Sequence, residues 1–210
     1  MGFEKMTSHK DIKKLLCKNI KLLSKKYKFA LKSGGAGARE WLRDNYYLLS
    51  REGENALSEL DNFKHLTVNN KEIPVFSFCM EAAKSGKYFY NALKETLVAV
   101  SLSTVDLEAI PVLMKACFVI HAATSFDADE QGSGVGNAVM GMRAMPSADF
   151  DGLIEEFCIV DKIFRSDPTG TYPILDDATK SDYRHILSKI APFSNSLFEL
   201  IVMRGKAARP

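Results

Sequence analysis

SHKDIKKLLCKNIKLLSKKYKFALK, residues 8–32, carries the periodicity that decides the fold. Ile12, Leu15, Leu16, Ile20, Leu23, Tyr27 and Leu31 recur at helical spacing, so they line one face of an α-helix. Lysines fill the remaining face, which makes the helix amphipathic. Ser8 stands three residues before Asp11, a capping-box pattern that opens a helix. SGGAGA at 33–38 closes it, because glycine takes the left-handed conformations in which helices end.

The same period continues outward. Trp41, Leu42, Tyr46 and Leu49 predict a second helix from near Arg39 to about Phe63, with a break at Gly53. LTVNNKEIP (66–74) is a connector: Asn69-Asn70 favours a turn, and Pro74 starts a helix without losing a needed donor. Val75–Ala83 and Tyr88–Val100 read as two helical pieces around Ser85-Gly86. Ser103 and Asp106 form another capping pair, followed by a stripe of Leu107, Ile110, Met114, Cys117 and His121. Pro111 falls inside that stripe and predicts a kink, since it lacks an N–H and crowds the preceding turn.

Residues 126–147 hold Gly132, Gly134, Gly136 and Gly141 and read as a long mobile loop. Ser147 then caps a helix with Leu153, Ile154, Phe157, Val160 and Phe164 on one face, and Asp149 and Asp151 in its first turn, where the dipole favours anions. No segment alternates as a strand does. The expected fold is all-α, an irregular bundle of about six to eight helices with no significant sheet. Its expected parts are a basic amphipathic helix (1–32), a Gly-rich linker (33–38), a helical domain (39–191) and a C-terminal tail (192–210).

Charge is unevenly spread. The net charge is +2, yet residues 1–32 hold ten lysines against Glu4 and Asp11, a local +8 that leaves −6 for the rest. That basic arm has three readings: a solvated face, a site for an anionic membrane surface, or a site for nucleic acid. Its apolar stripe favours docking on the helical body. The absence of arginine, the residue that forks onto phosphates, disfavours nucleic acid. Cys17, Cys79, Cys117 and Cys158 lie far apart among apolar neighbours and read as free, buried thiols of a reducing compartment. Ile110–Ala123, the longest apolar-rich run, is interrupted by Lys115 and His121 and falls short of the ~20 residues that span a bilayer. Lysines also interrupt any secretory-signal core at the start, so a cytoplasmic location is expected.

Few of the usual chemical signatures are present. GSGVG (132–136) suggests a phosphate cradle, but Asn137 stands where a dinucleotide fingerprint needs glycine and no P-loop lysine follows. His9, His65, His121 and His185 lack zinc spacing, and His121 reads as a core histidine. No nucleophile elbow occurs, and Glu155-Glu156 point about 100° apart on a helix.

The densest ionisable stretch is FRSDPTGTYPILDDATKSDYRHI (164–186). Asp167 precedes Pro168, which disfavours helix there, and Gly170 permits a tight reversal. Thr179 and Asp182 then form a capping box for a helix carrying Tyr183, Ile186, Leu187 and Ile190. Arg184 is placed to reach Asp177 or Asp167. Turn and capping rules therefore account for most of the charge, and the stretch reads as a helix–turn–helix junction.

Three blocks resemble the N-terminal region of cyclic β-1,2-glucan synthases. The first is EWLRDNYYLL (40–49), with Trp41, Asp44, Asn45 and Tyr46; the second is LSTVDLEAIPVLMKA (102–116), with Pro111. The third is residues 160–191, matching at Val160, Asp161, Ile163, Arg165, Asp167, Pro168, Gly170, Tyr172, Asp176, Thr179, Tyr183 and Arg184. Glu108, Asp177 and Lys180 depart from the family's Trp, Phe and Arg, the glycine-rich stretch has no counterpart, and the likeness fades after about Ala191.

The resemblance implies part of a large membrane glycosyltransferase that builds cyclic β-1,2-glucan from UDP-glucose. The family's membrane helices, metal site, catalytic aspartates and phosphorylase-like part lie downstream of these blocks. No catalytic, cofactor-binding or metal-binding residue is therefore expected here, and the chain is not expected to be an active enzyme alone. The implied partner is the downstream transferase region, with a location at the cytoplasmic face of the membrane. The alternative function is a free-standing helical adaptor that sits on anionic lipid through its Lys-rich first helix.

Overall fold

The computed structural model describes residues 8–64, 74–98, 107–128, 131–166 and 168–190. Among them it contains nine α-helices and no strand, so the fold is all-α. They are α1 (His9–Ser33), α2 (Ala38–Glu59), α3 (Pro74–Ala83), α4 (Phe89–Val98), α5 (Ile110–Ser125), α6 (Ser133–Ala144), α7 (Phe150–Phe157), α8 (Ile159–Arg165) and α9 (Asp177–Ile190). The chain forms two compact units: Met1–Val100 with Ala109–Ala148, and Ser101–Glu108 with Asp149–Pro210.

The first unit is built around α5, which packs against α1, α2, α3 and α6. Such a helix is apolar on nearly all sides, and Leu113, Met114, Ala116, Cys117, Phe118 and Val119 are fully buried. α1 starts where its sequence predicts: the Ser8 hydroxyl accepts from the Asp11 N–H at 3.3 Å. Its buried face is Ile12, Leu16, Asn19, Leu23, Lys26 and Ala30. α2 runs unbroken through Gly53, contrary to the expected break. A Cβ there would lie 3.3 Å from Ile20 and Val119, so this glycine serves close packing of α1, α2 and α5. Cys79 and Cys117 are buried free thiols whose pKa values burial pushes up.

Three further expectations fail in this unit. The predicted loop at 126–147 is largely helix α6. Val135, Ala138, Val139 and Met142 form its buried stripe, and its glycines let neighbours approach: Gly136 meets the Trp41 indole and Gly141 the Phe118 ring. Gly132 (φ 79°) has no room for a Cβ, which would come within 2.4 Å of the Gly37–Ala38 backbone. Pro111 does not kink α5 from within. It stands in the first turn, where its missing N–H costs nothing. His121 is half-buried, and its Nδ1 lies 3.1 Å from the Ser125 hydroxyl. The capping pair Ser103 and Asp106 lies outside the described residues.

Two of the second unit's described helices, α7 and α8, are short, with 8 and 7 residues. Ser147 does not cap α7, because it lies in a 3-10 turn (Met145–Ser147). Asp149 does so instead, accepting from the Gly152 N–H at 2.8 Å. The predicted single helix 147–165 breaks at Cys158, whose backbone is extended (ψ 114°), giving α7 and α8. The Cys158 thiol sulfur accepts from the Asp161 N–H at 3.4 Å, which starts α8 and turns Asp161 inward.

Candidate functional site

The ionisable residues of 160–186 gather around one carboxylate that the capping argument passed over. Asp161 has no exposed surface. One of its oxygens accepts from the Tyr172 hydroxyl at 2.7 Å and from Arg184 Nη1 at 3.1 Å. The other accepts from Arg165 Nε at 2.5 Å. Arg184 also donates to the Tyr172 oxygen at 3.2 Å and, through Nε, to Glu108 at 3.1 Å. Glu108 takes a further bond from Ser181 at 3.2 Å, and Arg165 continues outward to Glu155.

Two carboxylates thus face two guanidiniums across a neutral phenol. Burial pulls the Asp161 pKa up, but the hydrogen bonds from Arg165 and Tyr172 win and hold it below the usual carboxylate range. Burial, reinforced by the bond to Asp161, pushes Tyr172 up to about 12. Arg184 is raised: burial lowers it, and the bonds to Tyr172 and Glu108 outweigh that. Asp161, Tyr172 and Arg184 are each shifted away from neutral pH, and the polar atoms of the cluster are turned on one another. Chemically, the arrangement is a clamp that ties α8, the 3-10 turn Tyr172–Ile174 and α9 together. Phe164 closes it on one side, stacked on Tyr172 at 4.8 Å and edge-on to Tyr183 at 6.0 Å.

Two expectations change here. Arg184 pairs with Asp161 and Glu108, not with Asp177, because the break at Cys158 brings Asp161 to the interior. Asp167 lies outside the described residues. Thr179 does not cap α9; Asp176 does, accepting from the Thr179 N–H at 2.9 Å and from its hydroxyl at 2.7 Å. Those bonds hold Asp176 below the usual carboxylate range. Gly170 takes the left-handed conformation (φ 64°) that its reversal needs, Pro168 is exposed beside it, and Tyr183 is half exposed.

The first block's residues serve the other unit. Tyr46 stacks flat on Tyr27 of α1, ring centroids 4.0 Å apart. Asn45 is buried, donating to the Trp41 carbonyl at 2.9 Å and accepting from Arg143 at 2.6 Å. Trp41, Asp44 and Asn45 line an open depression of about 440 Å³ with Glu40 and Arg143, the last of which sequence reasoning missed. Glu40 and Asp44 are exposed in it. GSGVG forms the first turns of α6, with the Gly136 N–H bonded to the Gly132 carbonyl at 2.8 Å.

Among the described residues, no group of three or more His, Cys, Asp or Glu could hold a metal ion, and no helix is long and apolar enough to cross a membrane. Compared with protein-family models, curated proteins and solved structures, the chain matches none.

Proposed function

We propose that this chain is a non-catalytic helical part of a cyclic β-1,2-glucan synthase, a fragment or a truncated relative, whose pathway transfers glucose from UDP-glucose into β-1,2-glucan. The observation that carries the reading is where the third block's matched polar residues go. Asp161, Arg165, Tyr172 and Arg184 all enter one buried clamp. Polar residues that satisfy one another in a junction suit a non-catalytic segment of a larger enzyme. Glu108, where this chain departs from the family's tryptophan, joins the same clamp through Arg184.

The UDP-glucose and divalent metal implied for the whole family do not fit the clamp. Its carboxylates are already held by arginines, and a cation there would meet two guanidiniums. On this reading those ligands belong to the downstream transferase region, the chain's partner at the cytoplasmic face of the membrane.

The test is to read the DNA beyond the Pro210 codon in all three frames and to titrate the purified chain with UDP-glucose in a calorimeter. Membrane helices and a glycosyltransferase region are expected downstream, with no heat of binding from the chain alone. An open frame of unrelated character, or clear UDP-glucose binding, overturns the reading.

A further inference from the structure

The geometry of α1 points to a second role that is independent of the synthase resemblance. Nine of its residues are lysines, and they fall into two sets. Lys13 and Lys26 are turned toward the body and paired, with Asp61 at 2.6 Å and with Asp127 respectively. Lys10, Lys14, Lys18, Lys21, Lys25, Lys28 and Lys32 are all exposed, and among the described residues none makes an ion pair or hydrogen bond. Their steps of 4, 4, 3, 4, 3 and 4 keep them within roughly 80° of arc for a length of about 33 Å, at 1.5 Å and 100° per residue. The buried stripe from Ile12 to Ala30 lies on the opposite side, so docking of α1 on the body leaves this ridge facing outward. No carboxylate interrupts it: the only acid in α1 is Asp11, held by the Ser8 cap.

We propose that this ridge docks the chain on an anionic lipid surface. Seven ammonium groups in a straight row match a plane of smeared negative charge, where each adds to the attraction without needing a partner of fixed geometry. Two apolar side chains flank the end of the ridge: Phe29 is 52 % exposed and Leu31 is 55 % exposed. Apolar groups beside a basic row enter the headgroup boundary, as in helices that lie in the interface plane. Arg39 stands over the Phe29 ring at 5.4 Å and adds a cation at that end. A duplex is the poorer match. Its phosphates follow curved strands, and sequence readers fork onto it with arginine, which the ridge lacks.

The experiment is co-sedimentation of the full chain with vesicles of phosphatidylcholine, with and without about 30 mol % phosphatidylserine, at roughly 0.05 M and 0.5 M NaCl. Binding is expected only to the anionic vesicles and mostly at low salt. The ridge variant K14Q/K21Q/K28Q should lower the partition coefficient by about tenfold or more. The matched variant K84Q/K87Q/K162Q removes equal charge from exposed lysines elsewhere and should stay within about twofold of the parent. Far-UV circular dichroism and melting curves establish that both variants fold, as glutamine is nearly as good a helix former as lysine. Phe29→Ser should reduce the binding that survives high salt. The proposal is overturned if the parent chain ignores anionic vesicles, if the two triple variants lose binding equally, or if a duplex DNA binds more tightly than the vesicles at the same salt.

Discussion

α5 and α9 mark two ways of holding a helix. Eleven of the sixteen residues of α5 are buried, and of α5 and its neighbours α1, α2 and α6 only α1 has a side-chain hydrogen bond at its N-cap, from Ser8. Shape holds that unit, with Gly53, Gly136 and Gly141 letting backbones and rings approach. The unit around α9 buries a different mix. Among its described residues, Leu107, Leu153, Ile154, Cys158 and Tyr172 are the buried apolar side chains, while Asp161, Lys180 and Arg184 are buried and charged. Its helices begin on Asp149, Cys158 and Asp176, and its centre is an ionised clamp. α7 and α8, with 8 and 7 residues, are too short to bury a full stripe, and directed polar contacts hold them instead.

The sharpest way to break that contrast is Arg184→Ala. It removes the partner that Asp161 and Glu108 share; Asp161 keeps Arg165 and Tyr172, so the cost should fall below the roughly 3–5 kcal/mol of a buried charge left with no partner. Hydrogen exchange should accelerate across the amides of 149–190 while those of α5 keep their protection; equal loss in both units would refute the division. Arg184→Lys should not rescue, because an ammonium cannot donate to Asp161, Tyr172 and Glu108 in one plane.

Gly141→Ala is the counterpart in the shape-held unit. Its Cβ would come within 2.2 Å of the Phe118 ring, which is fully buried and set edge-on to Phe89 at 5.4 Å. Overpacking should cost about 1–3 kcal/mol after the gain in helix propensity, read as a lower melting temperature. A stabilised variant would mean the ring can move aside, and shape would not be what holds this unit.

Acid probes the clamp through its buried carboxylate. Asp161 has its folded pKa below the ordinary carboxylate value, so its contribution is complete above about pH 4 and is lost as pH falls through the lower folded value. Melting of the parent chain should therefore be steeper below about pH 4, by at most roughly 1.4 kcal/mol per pH unit for one proton. Asp161→Asn should remove that increment. At the alkaline end, one tyrosine should titrate near pH 12 in the ultraviolet absorbance, and Tyr172→Phe should abolish it. An unchanged titration in that variant would place the late phenol elsewhere.

The all-α character was legible because apolar residues of α1 repeat at helical spacing and because Ser8 does cap it. α6 was not legible as a helix: part of its buried face is Gly134, Ala138 and Gly141, small residues that fill space without standing out as apolar. The turn around Gly170 and the need for a partner at Arg184 could be read locally. The partners could not, since Asp161 and Glu108 lie 23 and 76 residues away. Asp161 itself, between Val160 and Lys162, resembles any solvated acid. The available signal was its place four residues before Arg165 and eleven before Tyr172, both within the resemblance. Exposed and buried lysines of α1 were likewise indistinguishable until the helix was docked.

The smallest effect tests the capping half of the contrast. Sequence spacing favours Ser147 as the cap of α7, whereas the Asp149 carboxylate receives the Gly152 N–H. Asp149→Ala should cost about 1 kcal/mol, a few degrees of melting temperature, and Ser147→Ala close to nothing. Asp149→Asn should keep most of the stability, since the amide oxygen can accept the same bond, and only the attraction of the carboxylate to the helix dipole is lost. If Ser147→Ala were the costlier change, α7 would start two residues earlier than described. If Asp149→Ala were silent, burial of Leu153 and Ile154 alone would hold α7, and it would belong with the helices of the first unit in how it is stabilised.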